Sequence, residues 1–325
     1  MENPQKQNNL NLFKDFCKNS KSACDIDPAI NYMNYIVDRM ELNEEQVLWL
    51  CFLYAVTYQL PTAWVIWNEF PDLSLADIPR LEKWWTKQTQ MRLPFQQDKM
   101  KQRKDFVKTV ASYQQIVGGD QVRYFDTLLG SDSPQINFDR MWSPLKSIAY
   151  FGRFSTWNWC QALKHVAGYN VEPTKLMLGE ADSISFTDGL SYAFGFEDRL
   201  TKKEINLTTG KKQKVFYKWT ELEKSQMEED CSKLKKALKI DNFQLETLAC
   251  AFKKIWRNND SRYVGYYNDR IADDIRNTSQ HDWSGVDWEL LWDARQECVP
   301  PKYLHGNSGV NQDWFVLTPQ EKVYL

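Results

Sequence analysis

Residues 137–195 read NFDRMWSPLKSIAYFGRFSTWNWCQALKHVAGYNVEPTKLMLGEADSISFTDGLSYAFG. Aromatics, glycines and polar residues interleave here more tightly than elsewhere in the chain. The middle, YFGRFSTWNW from Tyr150 to Trp159, reads as one helix ending and a second beginning. Phe151-Gly152 stops the first, and Ser155 is placed as the N-cap of the second. Arg153 then lies in a short turn beside the unpaired N–H groups of a helix start, which suits an anion such as a phosphate. Farther on, LGEADSISFTDGL from Leu178 to Leu190 repeats a polar turn followed by an apolar helix. The two turns are expected to wall one site.

Outward from this stretch, the chain reads as helix after helix. Asp27-Pro28 opens a helix that runs through Arg39. Asn43-Glu-Glu-Gln46 is a capping box for an apolar helix that ends before Pro61, and Pro61 opens another to Glu69. Trp84-Trp85 sits on a helix over 74–87, one ring facing inward and the other outward or into a cleft. Over 99–117, Met100, Arg103, Val107, Val110, Gln114 and Val117 recur at helical spacing, and Gly118-Gly119 stops the run. Lys101, Lys104 and Lys108 share another face, with Lys99 close by; they are either a solvated face or a track for DNA phosphates. Residues 204–217 read as the one β-hairpin, turning at Thr209-Gly210. Thr220-Glu-Leu-Glu223 and Asp241-Asn-Phe-Gln244 cap two further helices. Arg262, Tyr266 and Arg270 then fall on one helical face; they either hold a carboxylate or phosphate or pair with Asp269, Asp273 and Asp274. The sum is a mainly α, multi-helix globular fold with one small β-hairpin. Its expected division is a flexible arm over 1–26, a helical catalytic domain over 27–300 with its core motif at 137–196, and a tail over 301–325.

Composition bounds the function. The chain has 325 residues, a net charge of −2 and 14 tryptophans. With no global basic field, any nucleic-acid contact must come from a local patch. The seven cysteines include no CxxC pair and fit reduced thiols, and the three histidines show no metal spacing. No cofactor or metal is expected. The polar N-terminus lacks the order of a signal peptide, and the most apolar run, Val47–Leu60, is too short to span a bilayer. The expected setting is soluble and away from membranes. There is no GxxxxGK[ST], no GxGxxG after a strand and no GxSxG elbow, so a P-loop kinase, a dinucleotide fold and an α/β-hydrolase are disfavoured. Arg, Lys, aromatic and Asp-bearing turns on helices can bind a phosphate-bearing substrate and supply a base, but they do not by themselves reveal a reaction.

The stretch from Tyr150 to Gly195 resembles the core of a helical domain of bacteriophage thymine-hypermodification systems. That domain occurs fused to a P-loop kinase in 5-hydroxymethyluracil DNA kinases and alone in amino acid:DNA transferases, and is distantly similar to helical DNA glycosylases. Without a P-loop, the chain resembles the stand-alone transferase. The resemblance implies displacement of phosphate from 5-phosphomethyl-deoxyuridine in double-stranded DNA by an amino acid (serine, glycine or glutamate) or a polyamine. It also implies a hydroxymethyluracil DNA kinase as possible partner, the host cytoplasm as setting and restriction evasion as purpose.

That reaction sets demands on the residues. The leaving phosphate needs cations and N–H donors, for which Arg153 and Lys146 are the candidates. The nucleophile must lose a proton, with Asp182 and Asp188 as candidate bases. Arg262 or Arg270 would anchor an α-carboxylate. Tyr150, Trp157 or Trp159 would hold a flipped base, with Gly152, Ser185 and Gly189 in the surrounding turns. Each has a structural alternative: Trp159 as core, Ser185 and Asp188 as a capping box, Arg153 as an ion-pair partner, and Gly152 and Gly189 as conformational glycines. At the level of the whole protein, the alternatives are a non-catalytic DNA-binding partner of the kinase and a glycosylase-like base-processing enzyme.

Overall fold

The computed structural model describes residues 4–130, 132–178, 183–206, 210, 212–255 and 263–304. The chain divides into two compact units. One comprises the described residues within Met1–Asp27 and Thr174–Tyr266. The other comprises those within Pro28–Pro173 and Tyr267–Asn307. The residues expected as one helical domain over 27–300 are divided between these two units.

In chain order the helices are α1 (Pro4–Ser22), α2 (Pro28–Met40), α3 (Glu44–Thr57), α4 (Leu60–Glu69), α5 (Ile78–Trp84), α6 (Lys87–Arg92), α7 (Met100–Lys104) and α8 (Phe106–Val117). They continue with α9 (Gln121–Leu128), α10 (Pro134–Lys146), α11 (Arg153–His165), α12 (Ile184–Ala193), α13 (Glu221–Leu238), α14 (Asn242–Ile255), α15 (Tyr266–Ser279) and α16 (Glu289–Cys298). Two short strands, β1 (Lys202–Ile205) and β2 (Lys212–Val215), pair antiparallel with Lys202 opposite Val215. The fold is mainly α, as the periodicity required.

The larger unit is built on α3. Every residue from Val47 to Thr57 is buried, so this helix is apolar all round rather than on one face. Its start is fixed by the expected capping box: Asn43 Oδ1 accepts from Gln46 N–H at 3.0 Å, and Gln46 Oε1 accepts from Asn43 N–H at 3.1 Å. It packs against α4, α7, α9 and α11. Phe52 of α3 stacks on Tyr113 of α8 with centroids 3.9 Å apart and meets Trp159 of α11 edge-on at 5.4 Å. Trp159 therefore fills the core, the structural alternative the sequence left open. Trp85 is likewise core, whereas Trp84 is half-buried.

The single helix expected over 99–117 is broken. Lys99 ends a short 3-10 turn, and α7 and α8 meet at Asp105. The inward face is Gln102, Phe106, Thr109, Val110, Tyr113 and Val117, a helical row that continues across the break. Of the six residues expected to face inward, only Val110 and Val117 are buried, and Met100 is exposed.

In the smaller unit, α12 lies against α14 at a distance set by Gly189. A Cβ there would sit 1.9 Å from the carbonyl oxygen of Ala249. Residues 4–22, expected as part of a flexible arm, instead form α1. Phe13 and Phe16 are buried and touch Phe252 of α14 at centroid distances of 4.9 and 5.7 Å. Asn9 Nδ2 donates to the Tyr192 carbonyl and to Glu197 Oε1. Arg199 lies over the rings of Phe196, Tyr217 and Trp219 and pairs with Glu223 at 3.3 Å, tying the base of the hairpin to α13. Thr209 lies outside the described residues; Gly210 adopts the left-handed conformation that a tight turn requires. The cysteines are free thiols, with Cys17 and Cys231 buried in this unit and Cys51 and Cys160 in the larger one. Burial pushes all four thiols upward.

Among the described residues, no helix is long and apolar enough to cross a membrane, and no cluster of potential metal ligands occurs.

Candidate functional site

The turn between α10 and α11 gathers several of the expected residues within the larger unit. α10 ends at Lys146, earlier than Gly152, and Gly152 is the N-cap of α11 without any side-chain cap. Ser155 is thus inside the helix, which corrects the expected N-cap. Its hydroxyl is free for another task because the helix start needs only backbone geometry here. Tyr150 holds a left-handed φ of 67°, unusual for a bulky side chain, and is 39% exposed.

Lys146 and Arg153 are joined by two indole rings. Lys146 Nζ lies 5.5 Å from the Trp142 ring centre, Trp142 meets Trp157 at a right angle with centroids 6.4 Å apart, and Arg153 lies 4.7 Å over Trp157. Lys146 is exposed, whereas Arg153 and Trp157 are buried. Both cations sit on the π faces of these rings. Trp157 presents no exposed surface, whereas Tyr150 does.

A third cationic side chain enters the same turn from a distant part of the sequence. Lys99 is fully buried, and its Nζ donates to Ser155 Oγ at 2.6 Å and lies 4.5 Å over the ring of Phe154. Gln102 Nε2 donates both to Ser155 Oγ at 3.2 Å and to the Tyr150 carbonyl at 2.8 Å. Among the described residues, no carboxylate forms an ion pair with Lys99. Burial pulls its pKa down to about 7, against the opposing charge of Asp98. Tyr58, itself left-handed at φ 48°, meets Phe154 edge-on at 5.3 Å.

Beyond Tyr58, Gln59 hydrogen-bonds Asp274 of α15, which lies 3.8 Å from Arg270 Nε. Burial raises the Asp274 pKa to about 6, outweighing the lowering by Arg270. Asp269, considered as a partner for Arg270, instead pairs with Arg295 at 3.0 Å in the core of this unit. Asp273 pairs with Arg276. Lys99, Gln102, Ser155, Gln59 and Asp274 were not singled out as site residues by sequence reading. The cue for Lys99 was its place on the 3–4 spaced row of Gln102, Phe106, Val110, Tyr113 and Val117, all of them buried.

In the smaller unit, Asp188 is buried and fully engaged. Its Oδ1 accepts from the Thr201 N–H at 3.0 Å and hydroxyl at 2.9 Å, and its Oδ2 lies 2.5 Å from Lys253 Nζ. Ser185 Oγ accepts from the Cys250 thiol at 3.2 Å. No Ser185–Asp188 capping box forms, because Ser183 is the N-cap of α12 and the carboxylate pairs with Lys253. Gly189 is a contact glycine between helices. Asp182 and Arg262 lie outside the described residues. On α7 and α8, Lys101, Lys104 and Lys108 are all exposed, and Lys108 pairs with Asp105 at 3.5 Å.

A helical fold carrying a cation-rich, aromatic turn matches one family. The family described as amino acid:DNA transferase matches residues 22–261, and the chain belongs to it. Among curated proteins, a "Serinyltransferase" of Salmonella phage ViI is 28% identical over 271 residues. The match covers 80% of this chain and 65% of the relative's own length, so the chain spans just under two thirds of that protein. No solved structure matches.

Proposed function

We propose that this chain transfers an amine onto DNA, displacing phosphate from 5-phosphomethyl-deoxyuridine. The amine would come from an amino acid such as serine, glycine or glutamate, or from a polyamine. The observation that carries the reading is the meeting of Lys146, Arg153 and Lys99 at one turn inside the region matched by the family. Three cations beside a helix start supply the positive field that a departing phosphate needs. Tyr150, exposed at the mouth of that turn, offers a ring on which an extruded base stacks. Arg270 suits the carboxylate of an incoming amino acid, and the name of the phage relative favours serine. Lys101, Lys104 and Lys108 form the exposed track for flanking phosphates. A separate hydroxymethyluracil DNA kinase would supply the phosphorylated base, and the cytoplasm of an infected host would be the setting.

The test is direct. The protein is incubated with DNA containing 5-phosphomethyluracil and a mixture of amino acids and putrescine, and the digested nucleosides are weighed by mass spectrometry. A new aminomethyl nucleoside with stoichiometric free phosphate is expected. Absence of both with every amine rejects the reading.

A further inference from the structure

We infer that the β-hairpin and the segment after it form a second DNA-binding face, on which lysines take the phosphates of duplex DNA and Phe216 wedges against its bases. The choice of partner rests on the proposed transferase reading. The face lies in the smaller unit, whereas Lys101, Lys104 and Lys108 belong to the larger one. It is read from alternation. Successive residues of a strand point to opposite sides, and from Lys214 to Thr220 exposure keeps that period past the end of β2. Lys212, Lys214, Phe216, Lys218 and Thr220 are exposed, while Val215, Tyr217 and Trp219 are half-buried. Ile205, opposite Lys212 in the register and so on the same side of the ribbon, is 61% exposed.

The inner side is fixed. Arg199 lies over the rings of Tyr217 and Trp219, those rings meet edge-on at 5.4 Å, and the Tyr217 hydroxyl donates to Glu223 Oε1 at 2.7 Å. The outer side carries unmatched charge. Glu204 falls on the other side of the ribbon by register, Glu223 pairs with Arg199 and Glu221 with Lys224. Among the described residues, Lys212, Lys214 and Lys218 form no ion pair. The aromatics are sorted against what folding alone favours. Tyr217 and Trp219, each with a polar atom, turn inward, and Phe216, all hydrocarbon, stays 46% exposed. A nucleic acid offers such a surface both negative charge and a stacking partner.

The dimensions agree. A strand rises about 3.4 Å per residue, and each strand of duplex DNA carries one phosphate per about 3.4 Å of helix axis. A row of alternate residues laid along the duplex therefore meets every second phosphate. From Lys212 to Lys218 the row spans about 20 Å, roughly six base pairs. The major groove admits a two-stranded ribbon, and Phe is among the side chains that wedge between base steps. None of these contacts reads the modification, so the face holds plain and modified duplex alike.

The test uses the full chain and two labelled duplexes of one sequence, with and without 5-phosphomethyluracil, read by fluorescence anisotropy across a salt series. Lys212→Ala, Lys214→Ala and Lys218→Ala together should lower the slope of log K against log salt by about 2–3 on both duplexes. Phe216→Ala should weaken both by about tenfold with the slope unchanged, and Phe216→Trp should restore the affinity. Phe216→p-benzoylphenylalanine should photo-crosslink to the duplex. All these side chains are exposed, so the variants should melt as wild type does. If the variants bind both duplexes within about twofold of wild type and with the same slope, the face is wrong, while amine transfer by wild type separately decides the functional reading. If wild type transfers no amine yet the variants lose plain-duplex binding, the transferase chemistry falls and the face stands. Loss confined to the modified duplex, or crosslinking only to a second copy of the chain, overturns the face.

Discussion

Asp188 and Lys253 face each other at 2.5 Å across α12 and α14, next to the one glycine that lets those helices touch. Both side chains are largely buried, and Thr201 supplies two further hydrogen bonds to the carboxylate. Removing one partner leaves a buried charge, which costs about 3–5 kcal/mol. Asp188→Ala should therefore lower the urea midpoint sharply, while Asp188→Leu paired with Lys253→Met should recover most of it. A variant Asp188→Ala with wild-type stability and lost transfer would instead assign the carboxylate to chemistry.

Gly189→Ala tests the helix contact itself. The added methyl would overlap the backbone of Ala249, and backbone cannot step aside as a flexible side chain does. A loss of about 1–3 kcal/mol is expected, by analogy with overpacked cores, read in chemical denaturation. A loss under about 0.5 kcal/mol would mean that α12 and α14 separate easily.

Asp274 gives stability a pH dependence of definite sign. Its folded pKa, about 6, lies above the ordinary 3.8, so between these values the folded state binds the proton better than the unfolded one. The contribution is fullest below pH 4 and is lost as pH rises through 6, amounting to about 2–3 kcal/mol. Asp274→Asn should flatten the stability profile over that window. An unchanged slope in the variant would contradict the raised pKa.

The lysine track makes a prediction about salt. Each phosphate contact contributes a slope of about −0.9 in log K against log salt. Lys101→Ala with Lys104→Ala should reduce the slope by about two. Lys108→Ala should change it less, because Lys108 is already paired with Asp105. Equal salt slopes in wild type and the double variant would leave those lysines as a solvated face.

If Tyr150 carries the extruded base, Tyr150→Ala should weaken binding of modified DNA by about 1–3 kcal/mol, and Tyr150→Phe should not. Fluorescence anisotropy with labelled 5-phosphomethyluracil DNA measures both. Equal loss in the two variants would point to the phenol rather than the ring.

Much of the fold was legible because helices announce themselves locally. The boxes at Asn43 and Thr220 formed with both reciprocal bonds, and the all-apolar run from Val47 marked the central helix. What escaped depended on partners distant in sequence. Lys99 resembled its solvated neighbours, and the hydroxyl that holds it, Ser155, lies 56 residues away. Ser155 looked like a cap because a serine near a helix start usually is one. Gly189 declared nothing about Ala249. One miss was avoidable: Phe13, Phe16 and Cys17 recur at helical spacing in the polar N-terminal stretch, and all three are buried.

The buried thiols supply a clock. Cys17 and Cys231 lie in one unit and Cys51 and Cys160 in the other, all reduced and all shielded. A thiol so enclosed reacts with an alkylating reagent only when its surroundings open, so its labelling rate reads the free energy of that opening. Following the four sites by peptide mass in intact protein would time each unit's breathing separately. Addition of DNA would then show which unit the proposed substrate steadies, with no need to cut the chain.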